Sequence, residues 1–263
     1  MFTYAASNWW WEETSPLKLL EAVKKIGFSA IEVLDWTDYN LEELAEASQK
    51  TGVKFSAILA SSKNPERAKL LDNRKGIVCW EVKSEYVQAM QETIDAAKVL
   101  GINIIVTTTG NTLPNYPRTA QKDCIVQALS SVAPLLEKAN MTAVLEPLNT
   151  TDHPGYFLQR TEEAADIINR VKSSHVKILY DVYHQQISEG NLISTIQKYA
   201  PMIGHYHIAD VPGRNQPGTG EINYKNVLKA IRETGYSGYV TFECAATEPL
   251  EIVSQKMWDL LKD

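Results

Sequence analysis

Residues 176–208 read VKILYDVYHQQISEGNLISTIQKYAPMIGHYHI. Two short apolar runs, 176–181 and 203–208, flank an amphipathic stretch at 190–199. This order is typical of a strand, a helix and a second strand. Strands that alternate with helices in this way usually lie parallel in one sheet, so the segment predicts a unit of a parallel α/β protein.

The same alternation extends outward from this segment along the whole chain. Further strands are predicted near residues 2–6, 29–34, 53–59, 102–107, 141–146 and 238–243. Helices are predicted near residues 16–26, 41–51, 85–99, 119–139, 160–172, 190–199, 223–233 and 248–261. Eight strand–helix units in succession predict a single (β/α)8 TIM barrel over residues 1–263, whose active site would lie at the C-terminal face of the strands.

An open, doubly wound sheet is the competing architecture. Such a sheet usually carries a glycine-rich turn after its first strand, whereas residues 7–11 here read SNWWW. Neither the G-x-G-x-x-G pattern nor the G-x-x-x-x-G-K-[ST] pattern occurs in the chain. The closed barrel is therefore favoured, with no internal domain boundary.

Composition narrows the class of protein. The net charge is −6 and no basic tail is present, which disfavours nucleic acid as a partner because phosphate backbones are bound by clustered Lys and Arg. No window holds 18 uninterrupted apolar residues, so no membrane span is expected. The first residues, MFTYAA, do not resemble a secretory signal, and the three cysteines form no C-x-x-C motif. We therefore expect a soluble, cytoplasmic protein; association into a homo-oligomer stays open.

One predicted connection is much longer than the others. Residues 60–84 separate the third strand from its helix. Connections of that length in a compact domain are usually functional lids or disordered segments. Because this one would lie on the C-terminal face of the strands, where barrel active sites are found, we interpret it as a lid loop.

Four successive strands, the fifth to the eighth, end in residue types that bind metals. These residues are Glu146, Asp181, His207 and Glu243, and we call them the candidate metal site. A single carboxylate at a strand end is usually solvated or caps a helix, but in a barrel these four ends converge on one opening. Three carboxylates held close together repel unless a cation compensates. Three oxygen ligands and one imidazole fit Mg²⁺ or Mn²⁺, with Co²⁺ as a further candidate, better than a structural zinc site.

Other residues near these strand ends are open to two interpretations. His184 follows Asp181 by three positions and could orient a substrate oxygen, or it could be a partly exposed loop histidine. His205 precedes His207 by two positions and faces the same side of its strand, one layer deeper. Trp10, in the Trp9–Trp11 triplet, could form a wall of the substrate pocket or could pack in the core.

Four motifs resemble hydroxypyruvate isomerases. They are EPLN at 146–149, DVYHQ at 181–185, HYHIADVPGR at 205–214 and PGTGEINY at 217–224. The last two are specific, whereas single carboxylates are not. The resemblance follows the strand order over the whole chain and is densest between residues 141 and 244. The wider group is the xylose-isomerase-like barrel superfamily, which includes ketose 3-epimerases, inosose dehydratases and endonuclease IV.

This resemblance implies a metal ion held by Glu146, Asp181, His207 and Glu243, with Glu146 and Glu243 as the catalytic residues that move protons. Hydroxypyruvate isomerases interconvert hydroxypyruvate and tartronate semialdehyde. The chemistry of the residues agrees, because a metal that bridges a carbonyl and the adjacent hydroxyl acidifies the intervening C–H and stabilises an enediolate. No redox cofactor is needed for such a shift of a carbonyl.

Three further residues are expected to contact or surround the substrate. Arg214 suits the carboxylate of a small keto acid, since guanidinium matches carboxylate in bidentate geometry, although a salt bridge within its loop is the alternative. Glu221 lies in a glycine-flanked loop over the same face and could hold that loop instead of contacting substrate. Asp152 occupies the position where sugar epimerases tend to carry Glu.

The motifs differ from the isomerase pattern at one position. Hydroxypyruvate isomerases usually carry Gln where His207 stands, and His is the pattern of ketose epimerases, whose arginine is one residue closer to that histidine than Arg214 is. The leading hypothesis is a metal-dependent isomerase of a small hydroxy-keto acid, and the alternative is a ketose or keto-sugar 3-epimerase. An endonuclease IV-like phosphodiesterase is disfavoured by five histidines and the net charge of −6. A non-catalytic sugar-binding barrel is disfavoured by the complete set of ligand residues.

Overall fold

The computed structural model describes residues 1–10, 15–72 and 75–261. In these ranges one parallel sheet is formed by short strands whose positions match the predicted ones. They are β1 (Thr3–Ser7), β2 (Ala30–Glu32), β3 (Lys54–Phe55), β4 (Ile58–Leu59), β5 (Ile104–Thr107), β6 (Thr142–Leu145), β7 (Val176–Asp181), β8 (Ile203–Ile208) and β9 (Tyr239–Phe242). Their order in the sheet is β3-β2-β1-β9-β8-β7-β6-β5-β4.

The two outer segments of this order, β3 and β4, are joined by residues 56–57 and together close the sheet. β3 pairs with β2, and β4 pairs with β5. The Ser56 N–H donates to the carbonyl of Ile31 (2.9 Å), and the Ala60 N–H donates to the carbonyl of Val106 (2.8 Å). The predicted third strand is thus divided in two, because its first part pairs with β2 and its second part pairs with β5. The predicted TIM barrel is confirmed.

Helices surround the sheet. They are α1 (Pro16–Lys25), α2 (Leu41–Thr51), α3 (Pro65–Leu71), α4 (Lys83–Leu100), α5 (Arg118–Ala139), α6 (Thr161–Val171), α7 (Val182–Ser188), α8 (Leu192–Tyr199), α9 (Tyr224–Glu233) and α10 (Leu250–Leu261), with short 3-10 turns at Asn8–Trp10, Trp36–Asp38, Gly76–Val78, Trp80–Val82 and Ala200–Met202. Two of these helices, α3 and α7, were not predicted from the sequence. None of the helices in the described ranges combines the length and the apolar character of a membrane-spanning segment.

Side-chain capping explains both additional helices. The Asn64 side chain accepts hydrogen bonds from the N–H groups of Glu66 and Arg67, and Pro65 occupies the first turn, so α3 begins there. The Asp181 carboxylate accepts from the N–H groups of Tyr183 (2.8 Å) and His184 (3.4 Å) and thereby starts α7. A residue of the candidate metal site therefore also fixes the course of the chain directly after β7.

An apolar layer fills the barrel beneath the polar residues. It is made by Ala57, Val106, Val144 and Leu179. Val144 precedes Glu146 by two residues and Leu179 precedes Asp181 by two, so each apolar residue points to the same interior as the carboxylate after it. This packed layer supports the candidate metal site from below, whereas the larger core lies between the strands and the helices.

The segment from 60 to 84 contains α3 and two 3-10 turns and packs along α4 and the loop after β5. The Arg67 guanidinium lies 2.9 Å from Glu85 Oε2 and also contacts Glu92, which ties α3 to α4. The Ile77 N–H donates to the Thr109 carbonyl (2.8 Å). The segment thus lies at the C-terminal side of the strands, and its action as a lid stays a prediction; residues 73–74 are outside the described part.

Candidate active site

The structure brings the candidate metal site together at the C-terminal mouth of the barrel. Glu146 directly follows β6, Asp181 ends β7, His207 lies near the end of β8 and Glu243 directly follows β9. One ligand atom from each of the four residues lies within 4.8 Å of those of the other three, and all four residues are buried. Parallel strands place these side chains together because their C-terminal ends share one rim.

Several atoms in this cluster have no hydrogen-bond partner among the described residues. They include Glu146 Oε1, Asp181 Oδ2 and His207 Nδ1. His207 Nδ1 lies 2.9 Å from Glu243 Oε2 and 3.6 Å from Glu146 Oε1. Buried polar atoms are normally satisfied, and carboxylate oxygens with one imidazole nitrogen suit a divalent cation. The residues present therefore fit a metal ion.

Arg214 lies beside two carboxylates of the site. Its Nη2 is 2.6 Å from Glu243 Oε2 and 3.5 Å from Asp181 Oδ2. Burial raises the pKa of Glu243, but the nearby Arg214 and His207 outweigh burial and hold that pKa at about 2. Burial raises the pKa of Asp181 to about 6 despite Arg214, and burial also raises the pKa of Glu146. Glu243 is thus ionised at neutral pH, whereas Glu146 and Asp181 accept protons more readily than ordinary carboxylates.

Glu32, at the end of β2, was missed in the sequence analysis. It is buried, its Oε1 lies 2.9 Å from His207 Nε2, and its Oε2 lies 2.9 Å from His205 Nε2. Thr241 Oγ1 donates to the same Oε2 (2.6 Å). Burial raises the pKa of Glu32, but His207 and His205 outweigh it and bring that pKa well below its usual value. In the sequence Glu32 lies inside the strand predicted near residues 29–34, between Ile31 and Val33, so it did not stand out as a strand end.

His184 is fully buried in α7 and lies close to Asp181 rather than in an exposed loop. Its Nδ1 accepts from the Asn149 N–H (3.3 Å) and lies 2.7 Å from Asn149 Nδ2. Burial lowers the pKa of His184 to about 4, so the ring is neutral at neutral pH. Because Nδ1 accepts, the hydrogen is on Nε2, which lies 3.5 Å from Asp181 Oδ2. His184 thus offers one N–H donor to the site.

Asp152 lies at the side of the site and is linked to it by a hydrogen bond with Tyr183. Its Oδ2 accepts from the Tyr183 hydroxyl (2.7 Å) and from Asn149 Nδ2 (3.0 Å). The Tyr183 ring in turn lies 5.3 Å from the guanidinium carbon of Arg214. A cavity of about 520 Å³ adjoins this group and is lined by Leu59, Ala60, Leu71, Asp72, Thr108, Asn111, Asp152, His153 and Pro154. His153, next to Asp152, is thus part of the cavity wall.

Trp10 and Glu221 lie farther from the centre of the site. Trp10 Nε1 donates to the carbonyl of Cys244, and its ring packs against Phe28 and Phe242 with centroids 5.7 and 6.2 Å apart. It therefore braces the chain next to Glu243. Glu221 is exposed and accepts from Gln186 Nε2 (3.0 Å), which links its loop to α7. Trp11 lies outside the described residues.

Comparison with known proteins identifies the family. The model of the xylose isomerase-like TIM barrel family matches residues 20–261. The chain belongs to this family. It is 32% identical over 234 residues to a protein named hydroxypyruvate isomerase from Escherichia coli (strain K12), covering 86% of both chains. This confirms the resemblance to hydroxypyruvate isomerases that the motifs indicate, and the protein is an enzyme of the isomerase class.

Solved structures show the same fold. A crystal structure named AP endonuclease, family 2, from Brucella melitensis superposes with a TM-score of 0.90 at 24% identity, covering 98% of this chain and 99% of that one. A 3-keto-D-glucoside 4-epimerase from E. coli superposes with a TM-score of 0.83 at 21% identity, covering 99% of both chains. At these identities the superpositions establish the barrel fold and do not establish the reaction, which has to be inferred from the residues of the site.

Proposed function

We propose that this protein is a divalent-metal-dependent isomerase that shifts the carbonyl group of a small hydroxy-keto acid, as in the interconversion of hydroxypyruvate and tartronate semialdehyde. The observation that carries the proposal is the candidate metal site, in which three carboxylates and one imidazole offer ligand atoms within 4.8 Å of one another. The name of the E. coli relative, 32% identical over most of its length, supports the substrate class.

Glu146, Asp181, His207 and Glu243 would hold Mg²⁺ or Mn²⁺, with Co²⁺ as a further candidate. When bound, the ion would withdraw electron density from the carbonyl and hydroxyl oxygens of the substrate and so acidify the C–H bond between them. The buried atoms of this cluster that lack hydrogen bonds support this role.

Glu146 and Glu243 are proposed to move the proton. One carboxylate removes a proton from the hydroxymethyl carbon of the substrate, which leaves an enediolate, and the proton is delivered to the neighbouring carbon. Glu243 is ionised and suits the role of base, although Arg214 lowers its pKa in the free protein. Burial raises the pKa of Glu146, which suits a group that accepts a proton more readily than an ordinary carboxylate.

Arg214 is proposed to bind the carboxylate of the substrate. Its guanidinium already lies among acidic groups at the mouth of the site, and a bidentate contact with a carboxylate is its most favourable pairing. Binding there would divide its charge between substrate and Glu243, so Glu243 would become a stronger base when substrate is present. His184 Nε2–H would donate to a substrate oxygen.

A second candidate is a ketose or keto-sugar 3-epimerase. The cavity of about 520 Å³ has room for more than a three-carbon acid, and Asp72, Thr108 and Asn111 offer partners for sugar hydroxyls on its wall. In an epimerase, Glu146 and Glu243 would act on opposite faces of one carbon instead of on two neighbouring carbons. His207 in place of Gln also matches the epimerase pattern.

Proton NMR in D2O distinguishes the two candidates. We expect the Mn²⁺- or Mg²⁺-loaded protein to convert hydroxypyruvate or a four-carbon hydroxy-keto acid into its aldehyde isomer, with deuterium at the newly protonated carbon. Free ketohexoses should be unchanged. Inversion of ketohexoses at C3, together with no carbonyl shift in any three- or four-carbon hydroxy-keto acid, would reverse the assignment in favour of the epimerase.

A further inference from the structure

A second buried polar cluster lies one layer below the candidate metal site, and the proposed mechanism does not use it. Its centre is Glu32, on the opposite side of the barrel from β7 and in contact with β8 and β9. Its partners are His205, His207, Thr241 and Ser56. All are buried. A carboxylate placed so deep in a barrel has to be explained, because burying an ionised group costs free energy unless it is paired.

The two oxygens of Glu32 have different partners. Oε1 lies 2.9 Å from His207 Nε2. Oε2 lies 2.9 Å from His205 Nε2 and accepts hydrogen bonds from Thr241 Oγ1 (2.6 Å) and, at a longer distance, from Ser56 Oγ (3.4 Å). One carboxylate oxygen is thus committed to the imidazole of the candidate metal site. The other is held by donors that do not reach that site, and these donors keep the carboxylate plane fixed.

This contact decides which nitrogen of His207 can bind a metal. An ionised carboxylate only accepts hydrogen bonds, so His207 Nε2 carries a hydrogen. A metal can then bind only at Nδ1, once Nδ1 has no proton. Nδ1 is the nitrogen that lies 2.9 Å from Glu243 Oε2 and 3.6 Å from Glu146 Oε1. Metal-binding histidines commonly have such a carboxylate partner on the other nitrogen, which also makes the imidazole a stronger ligand.

A second metal ion between Glu32 and the two histidines would be a different explanation of the same residues. The three residues do offer ligand atoms close together. However, Glu32 lies at direct hydrogen-bond distance, 2.9 Å, from the Nε2 atom of each histidine. Both oxygens of Glu32 and the Nε2 atoms of both histidines are therefore already hydrogen-bonded, and Oε2 also accepts from Thr241 Oγ1 (2.6 Å). In the candidate metal site, by contrast, Glu146 Oε1 and Asp181 Oδ2 have no hydrogen-bond partner among the described residues. The hydrogen-bonded arrangement is therefore the one that these contacts favour for Glu32.

We propose that Glu32 is a positioning residue for the metal: it holds the Nε2–H of His207 and thereby presents Nδ1 to the other three ligands. This inference rests on the metal dependence in the proposed function. The donors around Glu32 give a direct way to test it. Glu32→Ala removes both oxygens, and Glu32→Gln keeps the size while removing the charge and one acceptor. Ser56→Ala is a matched control, because it removes a donor to Oε2 and leaves the contact with His207 intact.

The experiment measures Mn²⁺ binding by the full-length protein, with isothermal titration calorimetry and with no substrate present. We expect one ion per chain for the wild type, a Kd raised at least tenfold in Glu32→Gln and further in Glu32→Ala, and a Kd within about twofold of the wild type in Ser56→Ala. Circular dichroism and melting of the metal-free proteins establish that each variant is folded. A purely structural role for Glu32 would lower the melting temperature and leave the Kd unchanged.

A second readout is independent of affinity. Long-range ¹H–¹⁵N NMR of Zn²⁺-loaded protein with ¹⁵N-labelled histidine should show the proton of His207 on Nε2, with Nδ1 unprotonated; a proton on Nδ1 in the wild type would overturn the proposal. Equal Kd values for the wild type and both Glu32 variants would also overturn it, while the metal site itself would stand. If the wild type bound no Mn²⁺, the metal dependence in the proposed function would be wrong, and the role of Glu32 as a positioning residue for the metal would be wrong as well.

Discussion

Replacing Arg214 by methionine removes the cation that compensates two buried carboxylates. Arg214 Nη2 lies 2.6 Å from Glu243 Oε2 and 3.5 Å from Asp181 Oδ2. Methionine keeps part of the aliphatic length, and neither residue is favoured over the other at the positive φ of 53° found at position 214. Arg214→Met therefore tests mainly the loss of the charge.

The size of the effect follows from the pKa of Glu243, which is about 2 against an ordinary value of 4.5. One pKa unit corresponds to about 1.4 kcal/mol, so the ionised carboxylate of Glu243, with burial and the neighbouring cations taken together, contributes about 3 kcal/mol to the stability of the folded protein. Because the folded-state pKa is depressed, this contribution is complete above about pH 4.5 and is lost as the pH falls through 2. Because His207 remains beside Glu243 and Arg214 is the larger of the two favourable charges, we expect Arg214→Met to lose up to about 3 kcal/mol at pH 7.5, or up to roughly 6–12 °C in melting temperature.

The assay is urea unfolding, with thermal melts in parallel, of protein treated with chelator at pH 7.5. With saturating Mn²⁺ the deficit should shrink, because a bound cation would compensate the same carboxylates. Arg170→Met is the control, since Arg170 forms an exposed ion pair with Asp123 and its loss should cost less than about 1 kcal/mol. A free energy of unfolding for metal-free Arg214→Met within about 1 kcal/mol of the wild type would show that Arg214 does not compensate these carboxylates.

Three further variants test other parts of the site. Glu146→Gln should lower kcat by about 10²–10⁴-fold in steady-state kinetics, as expected for the loss of a proton carrier, and an unchanged kcat would remove Glu146 from that role. Tyr183→Phe deprives Asp152 of a hydrogen bond of 2.7 Å, so we expect KM to rise about fivefold with little change in kcat; a loss confined to kcat would argue against it. Gly76→Ala places a Cβ 2.2 Å from the Thr109 carbonyl oxygen at a φ of +55°. It should destabilise the protein by about 1–3 kcal/mol and speed limited proteolysis within residues 60–84, and wild-type cleavage rates would contradict that expectation.

The strand order and the convergence of four strand ends could be predicted from the sequence, because apolar runs of strand length end in Glu146, Asp181, His207 and Glu243. The division of the third strand into β3 and β4 could not be predicted, because it depends on the point where pairing with β2 ends and pairing with β5 begins. The helix α7 was missed because its N-cap, Asp181, was interpreted only as a metal ligand. In the structure the same side chain caps the helix and belongs to the candidate metal site.

The contacts of Glu32 below the candidate metal site could not be predicted, because no local sequence pattern reveals them. Glu32 and His207 are 175 residues apart in the chain and meet across the barrel interior at 2.9 Å. The sequence places Glu32 inside a predicted strand, but the inward direction of its side chain follows only from the register of β2. Similarly, His153 reaches the cavity because the loop after β6 folds over the site, with the Asp152 N–H donating to Asn149 Oδ1 (2.9 Å).

The conversion of hydroxypyruvate tests the proposed function most directly when it is measured for the wild type and for Glu243→Gln, each stripped with chelator and then reloaded with Mn²⁺ or Mg²⁺. We expect turnover by the wild type that chelation abolishes and metal restores, and a loss of at least about 10²-fold in reloaded Glu243→Gln. Turnover that survives complete chelation, or the absence of any carbonyl shift in metal-loaded wild type, would contradict the proposed metal-dependent isomerisation.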